Sequence, residues 1–295
     1  MTDQILSVEL SQGTIRYRDV GQGPVLLFVH GLLVSGTLWR KVLPRLSERY
    51  RCIVPDWPLG SHQVPMQPEA DLSPAGVARI VADFMAALDL REVTLIGNDS
   101  GGAICQLVVA HHRARVGRLV LTTCDAFEVF PPPLFNYLKW VVRVPGLMQM
   151  LGWGMLALPP LRRLPIAYGL VTKRPIDHDV LEAWVRPGAA SAGVRRDVAK
   201  FVGGISPAVT QEVARHLPSI DIPALIVWTP EDRSFPLSLG ERLAEALPDA
   251  RLELVPDARV FVAEDRPEAL ADAIERFVPA AAVARANGEG TAAQA

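Results

Sequence analysis

The chain alternates short apolar runs with longer stretches in which apolar side chains recur every three or four residues. Ile5–Leu10 and Thr14–Asp19 face each other across Gln12-Gly13 and predict a pair of antiparallel strands. Val25–Val29 is continuously apolar and ends at His30-Gly31, the pattern of a strand buried on both faces. Cys52–Val54, Val93–Ile96, Leu119–Thr123, Ala224–Trp228 and Leu252–Val255 repeat that pattern. Helical spacing fills the intervals over Leu38–Glu48, Pro74–Leu88, Gly101–His111, Leu239–Leu247 and Pro267–Phe277. Ser73 before Pro74 supplies an N-cap and a first-turn proline for the second of these. Strand and helix in regular alternation predict an α/β fold: a mostly parallel, twisted sheet flanked by helices on both faces.

The alternation stops between residues 131 and 219. That segment is rich in proline, glycine, leucine and aromatic residues, carries no strand-like run, and predicts several short helices. Strands of one sheet precede and follow it, so it is expected to be an insertion, with the core formed by residues 1–130 and 220–283. Residues 284–295 are small and polar and are expected to be disordered. The least charged stretch, Val144–Leu161, is broken by several prolines and glycines; it is expected to be buried or to line a pocket rather than to span a membrane.

Composition narrows the picture further. The 295 residues are 49% hydrophobic and 21% charged, which fits a folded globular chain. The formal net charge is −2, so no overall basic field exists for nucleic acid or anionic lipid. Three cysteines give neither a disulfide framework nor a cysteine-rich metal site, and no metal or cofactor is expected. The N-terminus MTDQILSVEL lacks the features of a signal peptide, and the expected location is cytoplasmic. There are only six histidines.

The most informative segment runs from Val93 through Gly97-Asn98-Asp99-Ser100-Gly101-Gly102. A strand passes directly into a helix there, a turn that strains its central residue and needs glycine on both sides. Gly97-x-Asp99-x-Gly101 satisfies both flanks and centres the turn on Asp99. Centring it on Ser100 places Asn98 where the first glycine belongs, and only Gly102 then fits. A plain helix start with Asp99 as N-cap is the structural alternative. The pattern resembles the glycine-flanked nucleophile elbow of the α/β-hydrolases.

Other motifs extend that resemblance over roughly residues 10–280. His30-Gly31-Leu32-Leu33 is similar to the superfamily's H-G-x-x segment, which implies an oxyanion hole formed by the N–H groups of Leu32 and Ser100. Asp56-Trp57-Pro58-Leu59-Gly60-Ser61 resembles its D-x-P-G-x-G-x-S loop, with Leu59 as a departure. The run from Ile226 to Pro236 resembles the strand and loop that carry its triad acid, with Asp232 in that place. The insertion falls where the superfamily carries a helical cap. The resemblance is to the haloalkane dehalogenase and epoxide hydrolase branch, and implies an α/β-hydrolase fold with Asp99 as nucleophile.

One element of that machinery is missing. Around Val255-Pro-Asp-Ala-Arg-Val-Phe-Val-Ala-Glu-Asp-Arg-Pro, Pro256, Phe261, Glu264 and Pro267 match the branch, but Val260 stands where it has its catalytic histidine, and no histidine follows His216. An ester on Asp99 needs an activated water for release, and valine accepts no proton. His62 and His30 are the histidines nearest the carboxyl ends of the strands. His111 and His112 fall at the far end of the elbow helix, and His178 is expected on the surface. Asp125, after Leu119–Thr123, is a second candidate for the acid. A cluster of Asp99, Asp125 and Asp232 would raise at least one of their pKa values.

Ser100 follows the nucleophile where dehalogenases of the branch carry tryptophan, and Leu33 replaces a proline of the epoxide hydrolases. Tyr137 and Tyr168 are candidates to protonate an opening oxygen, and Trp39 and Trp140 are further candidates for substrate contact. The expected partner is an apolar small molecule, with no nucleic acid and no membrane, and the chain is expected as a monomer or homodimer. Four functions remain open: a hydrolase-like enzyme for an epoxide-, ester- or halide-like substrate; a lyase, isomerase or cyclase on the same fold; a binding protein without turnover; and, as a minor option, an esterase centred on Ser100 that also lacks its base.

Overall fold

The computed structural model describes residues 4–279; the segment 284–295 lies outside them. Eight strands form one sheet: β1 (Ile5–Leu10), β2 (Gly13–Val20), β3 (Val25–Val29), β4 (Arg51–Pro55), β5 (Val93–Asp99), β6 (Val116–Cys124), β7 (Ala224–Trp228) and β8 (Ala250–Leu254). Their spatial order is β1-β2-β4-β3-β5-β6-β7-β8. Only β2 runs antiparallel to its neighbours. Central strands are sealed on both faces, which is why Val25–Val29 and Ala224–Trp228 read as unbroken apolar runs.

The helices are α1 (Leu43–Leu46), α2 (Pro74–Ala87), α3 (Ser100–His111), α4 (Leu138–Val141), α5 (Leu147–Ala157), α6 (His178–Ala190), α7 (Ala192–Gly204), α8 (Pro207–Ala214), α9 (Leu237–Ala246), α10 (Val262–Asp265) and α11 (Pro267–Phe277). The single helix expected over Leu38–Glu48 is instead a 3-10 turn, Gly36–Trp39, followed by the one-turn α1. Pro44 lacks the N–H that a continuous helix would need at that point. Ser73 caps α2 through a hydrogen bond from the Gly76 N–H.

The sheet places the site. β3 is flanked by β4 on one side and β5 on the other, so the order reverses between β3 and β5. Chains leaving two such strands diverge and open a crevice at their carboxyl ends. The loop after Val29 and the turn after Asp99 both start there.

Between β6 and β7 the described chain forms helices and one isolated bridge, Ala126 to Val129, and adds no strand to the sheet. Polar contacts fasten this insertion to the core. The buried Asp265 accepts from the backbone N–H groups of Lys173, Arg174 and Arg259 at 2.8–3.0 Å. The Tyr168 hydroxyl donates to the Leu33 carbonyl at 2.7 Å, and Trp184 Nε1 donates to Thr37 Oγ1 at 2.7 Å. Asp265→Ala leaves three partly buried N–H groups without their acceptor, two of them from the insertion. It should lower the unfolding free energy by about 3 kcal/mol in a urea titration; a loss below about 1 kcal/mol would show that water replaces the carboxylate.

Candidate active site

Asp99 is the last residue of β5 and precedes the first turn of α3. Its backbone sits at φ 53°, ψ −132°, outside the ordinary regions for a residue with a side chain. The surrounding glycines explain how the turn fits. A Cβ on Gly97 would lie 2.7 Å from the Cys105 sulfur, and one on Gly101 would lie 2.3 Å from the Val29 carbonyl oxygen. A Cβ on Gly31 would come within 2.1 Å of Asp99 Oδ2, so that glycine leaves the carboxylate its place.

The Leu32 N–H donates to Asp99 Oδ2 at 3.2 Å. The adjacent Asn98, which sequence reasoning used only to set the register, holds the ends of β5 and β6 and the segment after β8 together. Its amide nitrogen donates to Thr122 Oγ1 at 2.9 Å and to the Val260 carbonyl at 2.7 Å. A buried amide beside a strained turn is the signal that would have identified it. Asn98 thereby ties the segment after β8 to the elbow.

Asp99, Ser100, Leu32 and Val260 line a cavity of about 480 Å³ whose other walls are mostly aliphatic and aromatic side chains of the insertion, together with Phe235 and Phe261. Burial raises the Asp99 pKa to about 7; the N–H groups of Ser100 and Leu32 oppose the rise, and the charge of Asp232 adds to it. Asp125 is fully buried. Burial and the Asp99 charge push its pKa well above the ordinary range, only partly opposed by the Ser100 hydroxyl. Asp232 Oδ1 accepts from the N–H groups of Ser234 and Phe235 at 2.7 and 2.6 Å, whereas Oδ2 is buried without a partner. Burial raises the Asp232 pKa as well, against the pull of the Phe235, Ser234 and Val260 N–H groups and of Arg259.

Several sequence candidates fall elsewhere. His30 is buried with both ring nitrogens engaged: Nδ1 lies 2.9 Å from the Gly31 carbonyl and Nε2 accepts from the Trp57 N–H at 2.9 Å. Burial lowers its pKa to about 4, so it is a neutral bracket for the loop rather than a substrate contact. His62 is spanned between the Gly60 N–H and Asp197 of α7, also away from the cavity. Trp39 is buried against Phe28 in the core. Trp140 stands 71% exposed outside the cavity. Tyr137 and Tyr168 do line the cavity, but their hydroxyls donate to the carbonyls of Ile166 and Leu33. Among the described residues no histidine lines the cavity. The group best arranged to hold a metal ion is His111, Glu212 and His216, where α3 ends against α8. Eleven residues of α3, about 16 Å, separate it from Ser100.

The Asp99 shift carries a sign. Between an ordinary 3.8 and about 7 the unfolded chain is ionised at this position and the folded protein is not, so stability falls as pH rises through that window and levels off above it. Asp99→Asn removes the charge. It should stabilise the protein by about 2–3 kcal/mol more at about pH 8 than at about pH 5 in chemical denaturation; an equal effect at both would show that the carboxyl is solvated.

Three comparisons bear on this geometry. The Alpha/beta hydrolase family is matched over residues 26–273. Haloalkane dehalogenase 2 of Mycobacterium tuberculosis is 28% identical over 280 residues, covering 90% of this chain and 92% of its own length. The cis-3-alkyl-4-alkyloxetan-2-one decarboxylase of Xanthomonas campestris is 29% identical over 282 residues, covering 89% and 91%. Among solved structures, an alpha/beta hydrolase fold protein from Burkholderia ambifaria superposes with a TM-score of 0.76 at 22% identity, covering 93% of this chain and 99% of that one. The chain belongs to the alpha/beta hydrolase family, and within it is similar to the haloalkane dehalogenases.

Proposed function

We propose that the protein is an enzyme that attacks a carbon of an apolar epoxide-, ester- or halide-like small molecule with the carboxylate of Asp99. The observation that carries this is the placement of Asp99: a strained strand-to-helix turn, Oδ2 on the Leu32 N–H, and an apolar cavity in front. One carboxylate oxygen forms the new C–O bond while the bond to the halide or ring oxygen breaks, and the leaving group takes that electron pair. The Leu32 N–H holds the other oxygen. The helical insertion acts as a cap that excludes water from the carboxylate and leaves the ionised oxygen poorly solvated.

Release is the step that the site does not furnish in the usual way. Val260 lines the cavity and accepts no proton, and the nearby carboxyls at 125 and 232 lack an imidazole to orient. Hydrolysis of the Asp99 ester is therefore slow in this reading.

A second reading follows from that same valine and from the similarity to the oxetanone decarboxylase. With a 3,4-dialkyl-oxetan-2-one, Asp99 attacks C4, the C4–O bond breaks, and a free carboxylate forms on C3. Loss of CO2 then sends the C2–C3 electron pair into a C3=C4 double bond and expels Asp99 as its carboxylate. The ring becomes alkene and CO2, with no water and no proton transferred, so no base is required.

Mass spectrometry of the Asp99 peptide after incubation with a long-chain bromoalkane or epoxide should show an alkyl ester that Asp99→Asn does not form. Val260→His should shorten the life of that ester by at least about 100-fold, the scale of general base catalysis. A dialkyl oxetanone should yield alkene in the wild type without that substitution. An unmodified Asp99 after the bromoalkane and the epoxide, together with no alkene from the oxetanone, would refute both readings.

A further inference from the structure

The near-even charge of the whole chain conceals an uneven distribution. From Val129 to Ile176 there is no Asp or Glu, and there are six Lys or Arg. Arg162 is buried on backbone carbonyls, and Lys173 and Arg174 pair with Glu231 and Asp257. Lys139, Arg143 and Arg163 are left, and no ion pair engages them among the described residues. Among the described residues, the same segment carries nine of the eleven exposed large hydrophobic side chains, Trp140 at 71%, Met150 at 62% and Leu158 at 59% foremost among them. Folded chains seldom leave apolar surface in one such patch without a use for it. Tryptophan and leucine interleaved with lysine and arginine is the composition of a surface that lies in a bilayer interface.

The patch is continuous with the cavity. Met150, Leu151, Leu164 and Ile166 are exposed and also line it. No helix among the described residues is long and apolar enough to cross a membrane, so the contact is confined to the surface. A second copy of the chain is the less suitable occupant: a twofold contact through this segment would set the same three cations against each other, and the stretch from Val129 to Ile176 carries no acidic residue of its own to oppose them.

We propose that the helical insertion seats on the surface of an anionic lipid bilayer, with the cavity mouth turned toward it, and that an apolar substrate enters from the lipid. Trp140 and Trp153 enter the interface, and Lys139, Arg143 and Arg163 meet the headgroup phosphates. The seating stands on exposure and charge alone; the entry of substrate rests on the Asp99 reading.

Co-sedimentation with vesicles separates the two. The full chain should partition onto equimolar phosphatidylglycerol and phosphatidylcholine about 100-fold more strongly than onto phosphatidylcholine alone, given three cations at the surface, and high salt should remove the difference. Trp140→Ser with Trp153→Ser should weaken binding to both vesicles at least about 10-fold. Lys139→Glu, Arg143→Glu and Arg163→Glu together should abolish the preference for phosphatidylglycerol. All of these residues are at the surface, and an unchanged melting curve confirms that the variants fold. Asp99→Asn should bind vesicles like the wild type whether or not Asp99 reacts. Three results would overturn the seating: no partition of the wild type, partition unaffected by either set of substitutions, or a stable dimer by light scattering that the tryptophan variant splits.

Discussion

A carboxylate held inside the protein with few partners is the constraint on which the rest of the structure depends. Asp99 reaches its position only because the backbone accepts φ 53° between glycines that no side chain can replace without collision. That strain costs on the order of 1–3 kcal/mol, and desolvation of the charge costs more. β5 and α3 offset both, with every residue of α3 from Ser100 to Val109 packed in the interior. The arrangement yields a charge close to neutralisation, beside an apolar space, with one oxygen held by a backbone N–H.

The same economy of partners explains why the neighbouring carboxyls matter. Asp125 and Asp232 are both raised, and each owes its rise first to burial. An imidazole near them would take up charge and orient a water. Val260 supplies volume instead, and its carbonyl closes a hydrogen bond to Asn98. In the proposed reading the site forms a bond at Asp99 and is sparing in means to hydrolyse one. Chemistry in which the bound fragment leaves by itself suits it better than chemistry that waits for water.

Much of the fold was legible because local pattern and tertiary demand agree. Buried parallel strands must be apolar throughout, and Val25–Val29 and Ala224–Trp228 begin and end where their apolar runs do. Leu38–Glu48 misled because its spacing is helical while Pro44 forbids one continuous helix. At the site, Gly97-x-Asp99-x-Gly101 centred the turn on Asp99, and the backbone does reach φ 53° at that residue. Histidines were harder. His30 and His62 lie near the right strand ends, yet each is held by backbone groups or by Asp197 from α7, a partner 135 residues away that no local pattern reveals. The segment Val144–Leu161 is apolar around its whole circumference, so its periodicity cannot say which side faces protein. It was expected to be buried or to line a pocket; part of it does line the cavity, but Met150, Leu151, Trp153 and Leu158 are exposed.

The most direct test of this account is the titration of Asp99 itself. Carbon-13 NMR of aspartate-labelled protein, with the Asp99 resonance assigned by its loss in Asp99→Asn, gives the midpoint of that one carboxyl. A buried carboxylate facing an apolar cavity predicts a midpoint of about 7. A midpoint at the ordinary carboxyl value of 3.8 would contradict it, because Asp99 would then be a solvated side chain on a turn.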